Sequence, residues 1–304
     1  MVSTFEIVVF NRAHTRRSRD RAALHFEDHD FLFAWAQRHL QDRLGDIRRD
    51  FKKVLQIGAR TMPLTSAPTT IMDVSAKFLS RLRTQDSQSG RFVYTVQAEE
   101  EALPFAPQSF DLVTSALSLH TVNDLPGALM QIRHALKADG LFLACLIGGE
   151  SLQELRASLM HGEMMIKDGL SPRVYPFADR QQVGALMQRA GFALPVVDCE
   201  TVTVSYPDMF KLMRDLRGMG ENNTIAARRV HNPGKALFME AAKHYAAHFG
   251  EADGRIRATF EIIFMIGWAP HESQQKPLRP GSAQRRLADI LGAEEIKAGD
   301  IASP

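Results

Sequence analysis

Residues 54–64, which read VLQIGARTMPL, decide the fold of this chain. The first four are a short, mostly apolar run that ends at Gly58, and such a run is typical of a buried strand that turns into a loop. Glycine has no Cβ, so the backbone at Gly58 can approach a bound ligand closely. The stretch therefore predicts the first strand and the first loop of a nucleotide-binding sheet.

Strand-like and helix-like patterns alternate after this stretch. The strands are almost continuously apolar, which is typical of strands covered on both faces. This alternation predicts an α/β fold with a doubly wound, mostly parallel sheet. The predicted strands are residues 53–57, 69–74, 92–96, 110–115 and 140–146, and the helices between them are residues 76–82 and 125–136.

The pattern changes after residue 150 and again near residue 270. We predict a helical segment at 1–50, a Rossmann-like cofactor-binding core at 51–150, a C-terminal part of the sheet with helical cap insertions at 151–269, and a polar tail at 270–304. The tail is polar and dotted with proline, which predicts a loose segment. Periodicity predicts helices at 20–50, 152–165, 181–190, 207–217 and 235–249, a strand at 196–204, and a strand or buried helix end at 259–268.

The overall charge does not indicate a general nucleic-acid binder, because the formal net charge of the 304 residues is only +2. Basic residues do cluster at 12–21. At helical spacing they form either a solvated helix face or a surface for phosphates, an acidic partner or a membrane. No apolar run reaches the roughly 18 residues of a membrane span. We therefore expect no nucleic-acid partner and at most peripheral membrane association.

The chain has only two cysteines, Cys145 and Cys199. This number excludes a cysteine-rich zinc site and a disulfide scaffold. Both lie in apolar segments, so we expect buried, reduced thiols. The apolar residues near the N-terminus follow no basic region, which argues against a secretory signal. Together these features predict a cytoplasmic protein.

Candidate ligand-binding residues follow the predicted strands, at the edge where doubly wound sheets bind their ligands. Asp73 ends the second strand, where a carboxylate can bind the two hydroxyls of a ribose. Glu99 and Glu101 follow the third strand, where a carboxylate can accept from the amino group of adenine. Each signal alone is weak, but their order predicts a nucleoside site. The predicted cofactor-binding residues are Gly58, Asp73, Glu99, Glu101, Leu103 and Ser115.

Several segments resemble a known family. They read FDLVTSALSLHTVNDLPGAL from residue 110, LKADGLF from 136, GGESLQELR from 148, YPDMFKLMRDLRGMGENN from 206 and IFMIGWAPHESQQKP from 263. They are similar to the methyltransferase-like branch that includes the mitochondrial complex I assembly factor 5, and more distantly to malonyl-acyl-carrier-protein methyltransferases. The resemblance implies the Rossmann-like fold of class I S-adenosylmethionine-dependent methyltransferases.

The resemblance also implies a function. The mitochondrial relative is regarded as hydroxylating an arginine on the iron–sulfur subunit of complex I, so this chain is expected to be a complex I assembly factor that modifies a protein arginine. S-adenosylmethionine is the implied cofactor, and the complex I iron–sulfur subunit is the implied partner. Two alternatives stay open: methyl transfer to a small or carrier-bound carboxylate, and a non-catalytic assembly chaperone.

The first loop departs from the family's pattern, which reads Asp/Glu-x-Gly-x-Gly-x-Gly. Here Gln56 replaces the acid, and Arg60 and Met62 stand where the second and third glycines are expected. Residues 63–68, which begin and end with proline, leave room for at most a very short helix before the second strand. These changes fall in the half that holds the methionine end of the cofactor. We therefore expect S-adenosylmethionine to bind weakly or in an altered pose, or not at all.

Three further residues are catalytic candidates. His120 follows the fourth strand and is either a base or hydrogen-bond donor toward the substrate or a structural cap of its loop. Arg217 and Glu221 lie in the family-specific segment and either grip polar groups of a protein substrate or cap their own loop. A non-haem iron site would need two histidines and a carboxylate. Residues 25–30 offer such atoms, but a solvated helix face is the favoured interpretation, and no metal site is predicted.

Overall fold

The computed structural model describes residues 8–86, 92–167, 169–275 and 292. The chain divides into two units, Met1–Pro270 and His271–Pro304, and every element described below lies in the first unit. The predicted polar tail lies mostly outside the described residues. The division of the first unit at residues 50 and 150 stays a prediction.

The described strands form one seven-stranded sheet. They are β1 (Val54–Ile57), β2 (Thr69–Asp73), β3 (Val93–Gln97), β4 (Phe110–Ala116), β5 (Leu136–Ile147), β6 (Ala193–Tyr206) and β7 (Ile256–Trp268). Their order across the sheet is β3-β2-β1-β4-β5-β7-β6. The first five pair in parallel, and β7 is antiparallel to both β5 and β6. The predicted doubly wound, mostly parallel sheet is confirmed.

Helices cover both faces of this sheet. They are α1 (Arg12–Ala22), α2 (Phe31–Gly45), α3 (Ala76–Asp86), α4 (Leu125–Ala135), α5 (Gln153–Ile166), α6 (Arg180–Arg189), α7 (Met209–Met219) and α8 (Lys235–Phe249). Two large clusters of buried apolar side chains lie in the described part of the molecule, one containing residues of α2, α3, α5, α7 and α8 and the other residues of α4 and α6. Among the described helices, none has the length and apolar character needed to cross a bilayer.

Burial explains the different character of the strands. Every residue of β1 and β4 is buried, because these strands lie at the centre of the sheet. Most residues of β6 alternate between half-buried and exposed, since it is an edge strand. The strand predicted at 196–204 lies within β6, and 259–268 is a strand within β7.

The prediction of one helix over residues 20–50 is wrong. α1 and α2 are separate helices with a short 3-10 turn, Phe26–Asp28, between them. The break turns the Phe26 ring into the core, where it meets Phe33 and Phe78 edge-on at centroid distances of 5.2 and 5.0 Å. Aromatic rings bury large apolar areas, so tertiary packing decides the break rather than local helical periodicity.

The expectation of two buried thiols holds for one cysteine only. Cys145, on β5, is buried, and burial raises the pKa of its thiol to about 12. Cys199 is exposed, because it lies on the edge strand β6. Neither cysteine forms a disulfide within the described residues.

Helix α5 packs against α8 through Gly162. A Cβ at this position would lie 2.7 Å from the carbonyl oxygen of Leu237 and 3.2 Å from Cβ of Ala241. The missing side chain therefore allows the two backbones to approach closely.

We expect Gly162→Ala to lower the free energy of unfolding by roughly 1–3 kcal/mol, because overpacking outweighs the better helix propensity of alanine. Gly184 in α6 is the matched control, since nothing lies within 4 Å of its added Cβ. Gly184→Ala should stabilise by roughly 0.5–1 kcal/mol. Urea unfolding of both variants measures the difference, and equal shifts would contradict the close approach of α5 and α8.

Candidate active site

The carboxyl ends of β1, β2 and β4 meet at one edge of the sheet, because these strands are parallel neighbours. Gly58 follows β1 there with φ of +100°. A Cβ at Gly58 would lie 3.0 Å from both Cβ and Oγ of Ser118. The position requires glycine for its backbone conformation and for its close approach to the loop after β4.

Gln56 holds the loop after β1 closed. Its amide nitrogen donates to the carbonyl oxygens of Gly58, at 2.9 Å, and Thr61, at 2.7 Å. Residues 58–68 contain no helix, which confirms the prediction from the two prolines. The edge therefore lacks the helix N-terminus that commonly faces a nucleotide.

Both carboxylate oxygens of Asp73 accept hydrogen bonds from other residues of the chain. Its Oδ2 accepts from the backbone nitrogen of Ala59 at 2.9 Å, and its Oδ1 accepts from that of Ser75 at 2.8 Å. Oδ1 also lies 3.4 Å from Nη1 of Arg19. The carboxylate predicted to bind a ribose thus positions the first loop and faces a buried guanidinium.

Arg19 on α1 enters the predicted nucleoside site, and its side chain is only 1% exposed. Nη1 donates to Glu100 Oε1 at 2.8 Å. Nη2 donates to the carbonyl oxygen of Ser118 and to Oγ1 of Thr121, both at 3.3 Å. Four carboxylate, carbonyl and hydroxyl contacts, counting Asp73, therefore surround one guanidinium.

Arg12 lies seven residues before Arg19, on the same face of α1. It donates to Glu99 at 2.9 Å and also to Glu100. Arg12, Arg19 and Glu100 are not among the site residues predicted from the sequence, although the first two lie in the predicted basic cluster. Arg16, by contrast, is exposed. The seven-residue spacing was the available signal that part of the cluster faces inward.

These pairs keep Glu100 ionised. Burial would raise its pKa, but the charges of Arg19 and Arg12 outweigh burial and lower the pKa to about 2. A buried carboxylate is stable in this form only because it is paired and hydrogen-bonded.

A second buried cluster joins Arg60, Glu221 and His120. Arg60 Nη1 donates to Glu221 Oε1 at 2.5 Å, and His120 Nε2 lies 3.0 Å from Glu221 Oε2. The side chains are 1%, 6% and 1% exposed, in that order. Burial would raise the pKa of Glu221, but His120 and Arg60 hold it well below its usual range. The structure therefore brings two predicted catalytic residues together with the arginine of the altered loop.

Helix α7 delivers Glu221 to this cluster. Asp208 caps the start of α7 by accepting from the backbone nitrogen of Lys211, and Gly220 ends the helix with φ of +84°. The left-handed glycine turns the chain inward at the next residue. Arg217, the third predicted catalytic residue, stays exposed on α7 and lines a different, open cavity with Arg214.

The remaining predicted residues lie around the site. Glu101 Oε1 accepts from the backbone nitrogen of Asn123 at 2.6 Å. Leu103 packs at the margin of the cluster that contains α4. Ser115 is fully buried at the end of β4, and its hydroxyl has no hydrogen-bond partner among the described residues. Their roles stay predictions. His29 is one of the residues considered as an iron ligand. Its Nδ1 lies 2.8 Å from Oδ1 of Asp215.

In this conformation two of the chain's own arginines contact groups at the strand ends, where a nucleoside cofactor is expected to bind. Arg19 lies on the carboxylate that would bind the ribose. Arg60 crosses the loop after β4, where its Nη2 donates to the carbonyl oxygen of Leu117 at 2.6 Å. A ribose bound by Asp73 would therefore compete with Arg19 for the carboxylate.

Two cavities lie beside helix α5, and the smaller one reaches Glu221. A cavity of about 550 Å³ lies between α5 and residues 170–177. A smaller one of about 40 Å³ is lined by Glu221, Tyr175 and Phe177. The two share the wall formed by residues 173–175 and Phe177, and the smaller cavity lies on the side of this wall that faces Glu221.

A family of methyltransferase domains matches residues 55–144, from β1 to β5. Over a longer stretch, the chain is 38% identical to the protein of Danio rerio named arginine-hydroxylase NDUFAF5, mitochondrial. That match spans 291 residues, 93% of this chain and 89% of the relative. The chain belongs to the NDUFAF5 arginine-hydroxylase family. The resemblance recognised in the sequence is thereby confirmed.

Two further comparisons give the wider relationship. The chain is 31% identical to the malonyl-[acyl-carrier protein] O-methyltransferase of Halorhodospira halophila, covering 88% of this chain and 90% of the relative. Phosphoethanolamine N-methyltransferase 2 of Haemonchus contortus, solved with S-adenosyl-L-methionine, superposes with a TM-score of 0.53 at 17% identity, covering 84% of this chain and 60% of that one. This likeness confirms the class I methyltransferase fold.

The expected cytoplasmic location is contradicted. The NDUFAF5 relatives of Danio rerio and Homo sapiens are both named as mitochondrial proteins, not cytoplasmic ones. Reduced cysteines and the absence of a recognisable secretory signal do not distinguish one reducing compartment from another, so the inference from them was too narrow.

Glu100 and Glu99 provide a matched pair of substitutions. Both accept from Arg12, but the Glu99 side chain is 45% exposed and that of Glu100 is fully buried. We expect Glu100→Gln to lower the free energy of unfolding by roughly 3–5 kcal/mol, because it leaves Arg19 without its nearest charge. Glu99→Gln should cost less than about 1 kcal/mol. Urea unfolding near neutral pH measures both, and equal losses would contradict the buried pair.

The advantage of the wild type over Glu100→Gln should also depend on pH. The pKa of Glu100 is lower in the folded protein than its ordinary value of 4.5. Its ionised form therefore contributes stability that is fully present above this ordinary value and is lost as the pH falls toward about 2. Unfolding curves across that range should show the advantage shrinking. A constant advantage would mean that the pKa is not lowered.

Proposed function

We propose that this chain hydroxylates an arginine of a protein substrate as an assembly factor of respiratory complex I. The observation that carries the proposal is the 38% identity to an arginine-hydroxylase over 93% of the chain. The match extends well beyond the methyltransferase domain at 55–144 and includes α7 and Glu221. The proposed partner is the complex I iron–sulfur subunit.

The chemistry of the site supports an arginine substrate. Hydroxylation converts a C–H bond into C–OH; with dioxygen as the oxidant, one oxygen atom enters the arginine and the other leaves as water, with two electrons and two protons supplied by a reductant. The protein must hold the arginine in a fixed position for this step. Asp73, Glu100 and Glu221 are buried carboxylates that already accept from guanidinium groups. We assign His120 and Glu221 to the substrate side of the site, since the smaller cavity reaches Glu221.

Methyl transfer to a carboxylate is the first alternative, and the 31% identity to a malonyl-carrier methyltransferase favours it. The contacts at the strand ends disfavour it, because Arg19 already pairs with the carboxylate expected to bind the cofactor's ribose, and Arg60 donates to the loop after β4. A non-catalytic assembly chaperone is the second alternative, and the same contacts favour it. The two experiments below separate these functions.

We expect S-adenosylmethionine to bind wild-type protein weakly, with Kd in the millimolar range, because binding must displace a buried guanidinium. Arg60→Ala removes one of the two obstacles and should tighten binding by about tenfold or more. Isothermal titration calorimetry measures both. Micromolar binding by the wild type would contradict this expectation and favour methyl transfer.

Mass spectrometry of the complex I iron–sulfur subunit tests the activity itself. With the wild-type gene, one arginine should carry one additional oxygen atom, and this arginine should be unmodified when the gene is deleted. Glu221→Gln should strongly reduce the modification, whereas Glu251→Gln, at an exposed position, should not. If the activity of complex I falls in the deletion strain but no arginine is modified in either strain, the protein is a chaperone. If deletion of the gene leaves the activity of complex I unchanged, both the hydroxylase and the chaperone proposals are contradicted.

A further inference from the structure

The guanidinium of Arg60 lies in a pocket with several groups that recognise guanidinium. Nη1 donates to Glu221 Oε1 at 2.5 Å and to the carbonyl oxygen of Met219 at 3.3 Å, and Nη2 donates to that of Leu117 at 2.6 Å. The ring of Phe33 lies 4.5 Å from Cζ. A carboxylate, two carbonyls and an aromatic face together match a planar cation with several donors.

The guanidinium of Arg60 makes fewer hydrogen bonds than that of Arg19. Its Nε is buried and has no hydrogen-bond partner among the described residues. Burial and the nearby charge of Arg19 lower the pKa of Arg60, whereas the surroundings of Arg19 raise its pKa despite burial. Arg60 also lies in the helix-free loop at 58–68. Its side chain can therefore leave the pocket without unfolding a helix or strand.

The smaller of the two cavities borders this pocket at Glu221. The larger one, of about 550 Å³, lies on the other side of a wall that contains Tyr175 and Phe177, so displacement of this wall would open the pocket to the larger cavity. A long, unbranched side chain entering along this path would present its end to Glu221. Apolar walls suit the methylene part of such a side chain, while the charge is needed only at its end.

We propose that Glu221, the carbonyls of Leu117 and Met219, and the ring of Phe33 form the binding pocket for the guanidinium of the substrate arginine, and that Arg60 fills this pocket until the substrate displaces it. The proposal rests on the proposed function, since it takes arginine as the substrate. Exchange of one guanidinium for another keeps the buried Glu221 neutralised. An anionic substrate would leave Glu221 facing a second negative charge, which disfavours a carboxylate in this pocket.

His120 acts in this pocket as a positioning residue. Its Nε2 lies 3.0 Å from Oε2 of Glu221, while Oε1 receives the guanidinium. The two oxygens of Glu221 thus have separate partners, and His120 fixes the orientation of the carboxylate during the exchange.

Binding of agmatine, an alkyl guanidinium, tests the pocket without any hydroxylation. Isothermal titration should show that Arg60→Ala binds agmatine at least about tenfold more tightly than the wild type, because the internal competitor is absent. Cadaverine, an amine of similar length, should bind more weakly, since an ammonium group lacks the planar donor set. Adding Glu221→Gln to Arg60→Ala should abolish the gain. A folded Arg60→Ala protein that binds agmatine no more tightly than the wild type would overturn the proposal.

A second variant covers the case in which Arg60→Ala fails to fold. Arg60→Gln keeps hydrogen-bond donors and much of the volume, and thermal melts with and without agmatine give its response. Stabilisation of either variant by agmatine but not by cadaverine supports the pocket, and no response from both overturns it. An agmatine gain without arginine hydroxylation in cells would reject the proposed function but keep the pocket. Arginine hydroxylation in cells without a gain in agmatine binding would keep the proposed function but reject the pocket.

Discussion

The buried pairing of Arg19 with Glu100 is the interaction on which the rest of the site depends. An isolated charge in the interior costs several kcal/mol, so each of these two groups requires the other. Their pair holds α1 against the strand ends and leaves Asp73 facing a guanidinium. Arg60, two residues after Gly58, forms a second buried ion pair of the same kind with Glu221. The edge of the sheet is therefore a network of fixed charges rather than an open cleft.

This network changes how a methyltransferase fold is used. A fold does not determine a function, which depends on the groups placed at the site. Here the sheet keeps the strand order and the acid at the end of β2, while Arg19 pairs with that acid. Carboxylates that could bind ribose hydroxyls are equally suited to guanidinium groups. Such a site suits the arginine substrate that we propose.

The sequence predicts the part of the site that is local in the chain. Gly58, Asp73 and the missing helix at 58–68 follow from strand ends and prolines, and the structure has all three. The pairing of Arg19 with Glu100 joins residues 81 positions apart, and no local pattern indicates which carboxylate a buried arginine meets. The same reason explains the break near Phe26, where tertiary packing decides the structure. Arg60 was recognised as unusual, but its partner Glu221 emerges only from the fold.

The central claim is that Arg19 and Arg60 are buried and ion-paired within the protein. Proton exchange of the arginine guanidinium groups, followed by nitrogen-15 NMR at neutral pH, tests it most directly. The account predicts two sets of guanidinium signals that exchange slowly with water, one of which disappears in Arg60→Ala while the other, from Arg19, remains. If all arginine guanidinium groups of the wild type exchange as fast as those of exposed arginines, the strand-end site is open and the account is contradicted.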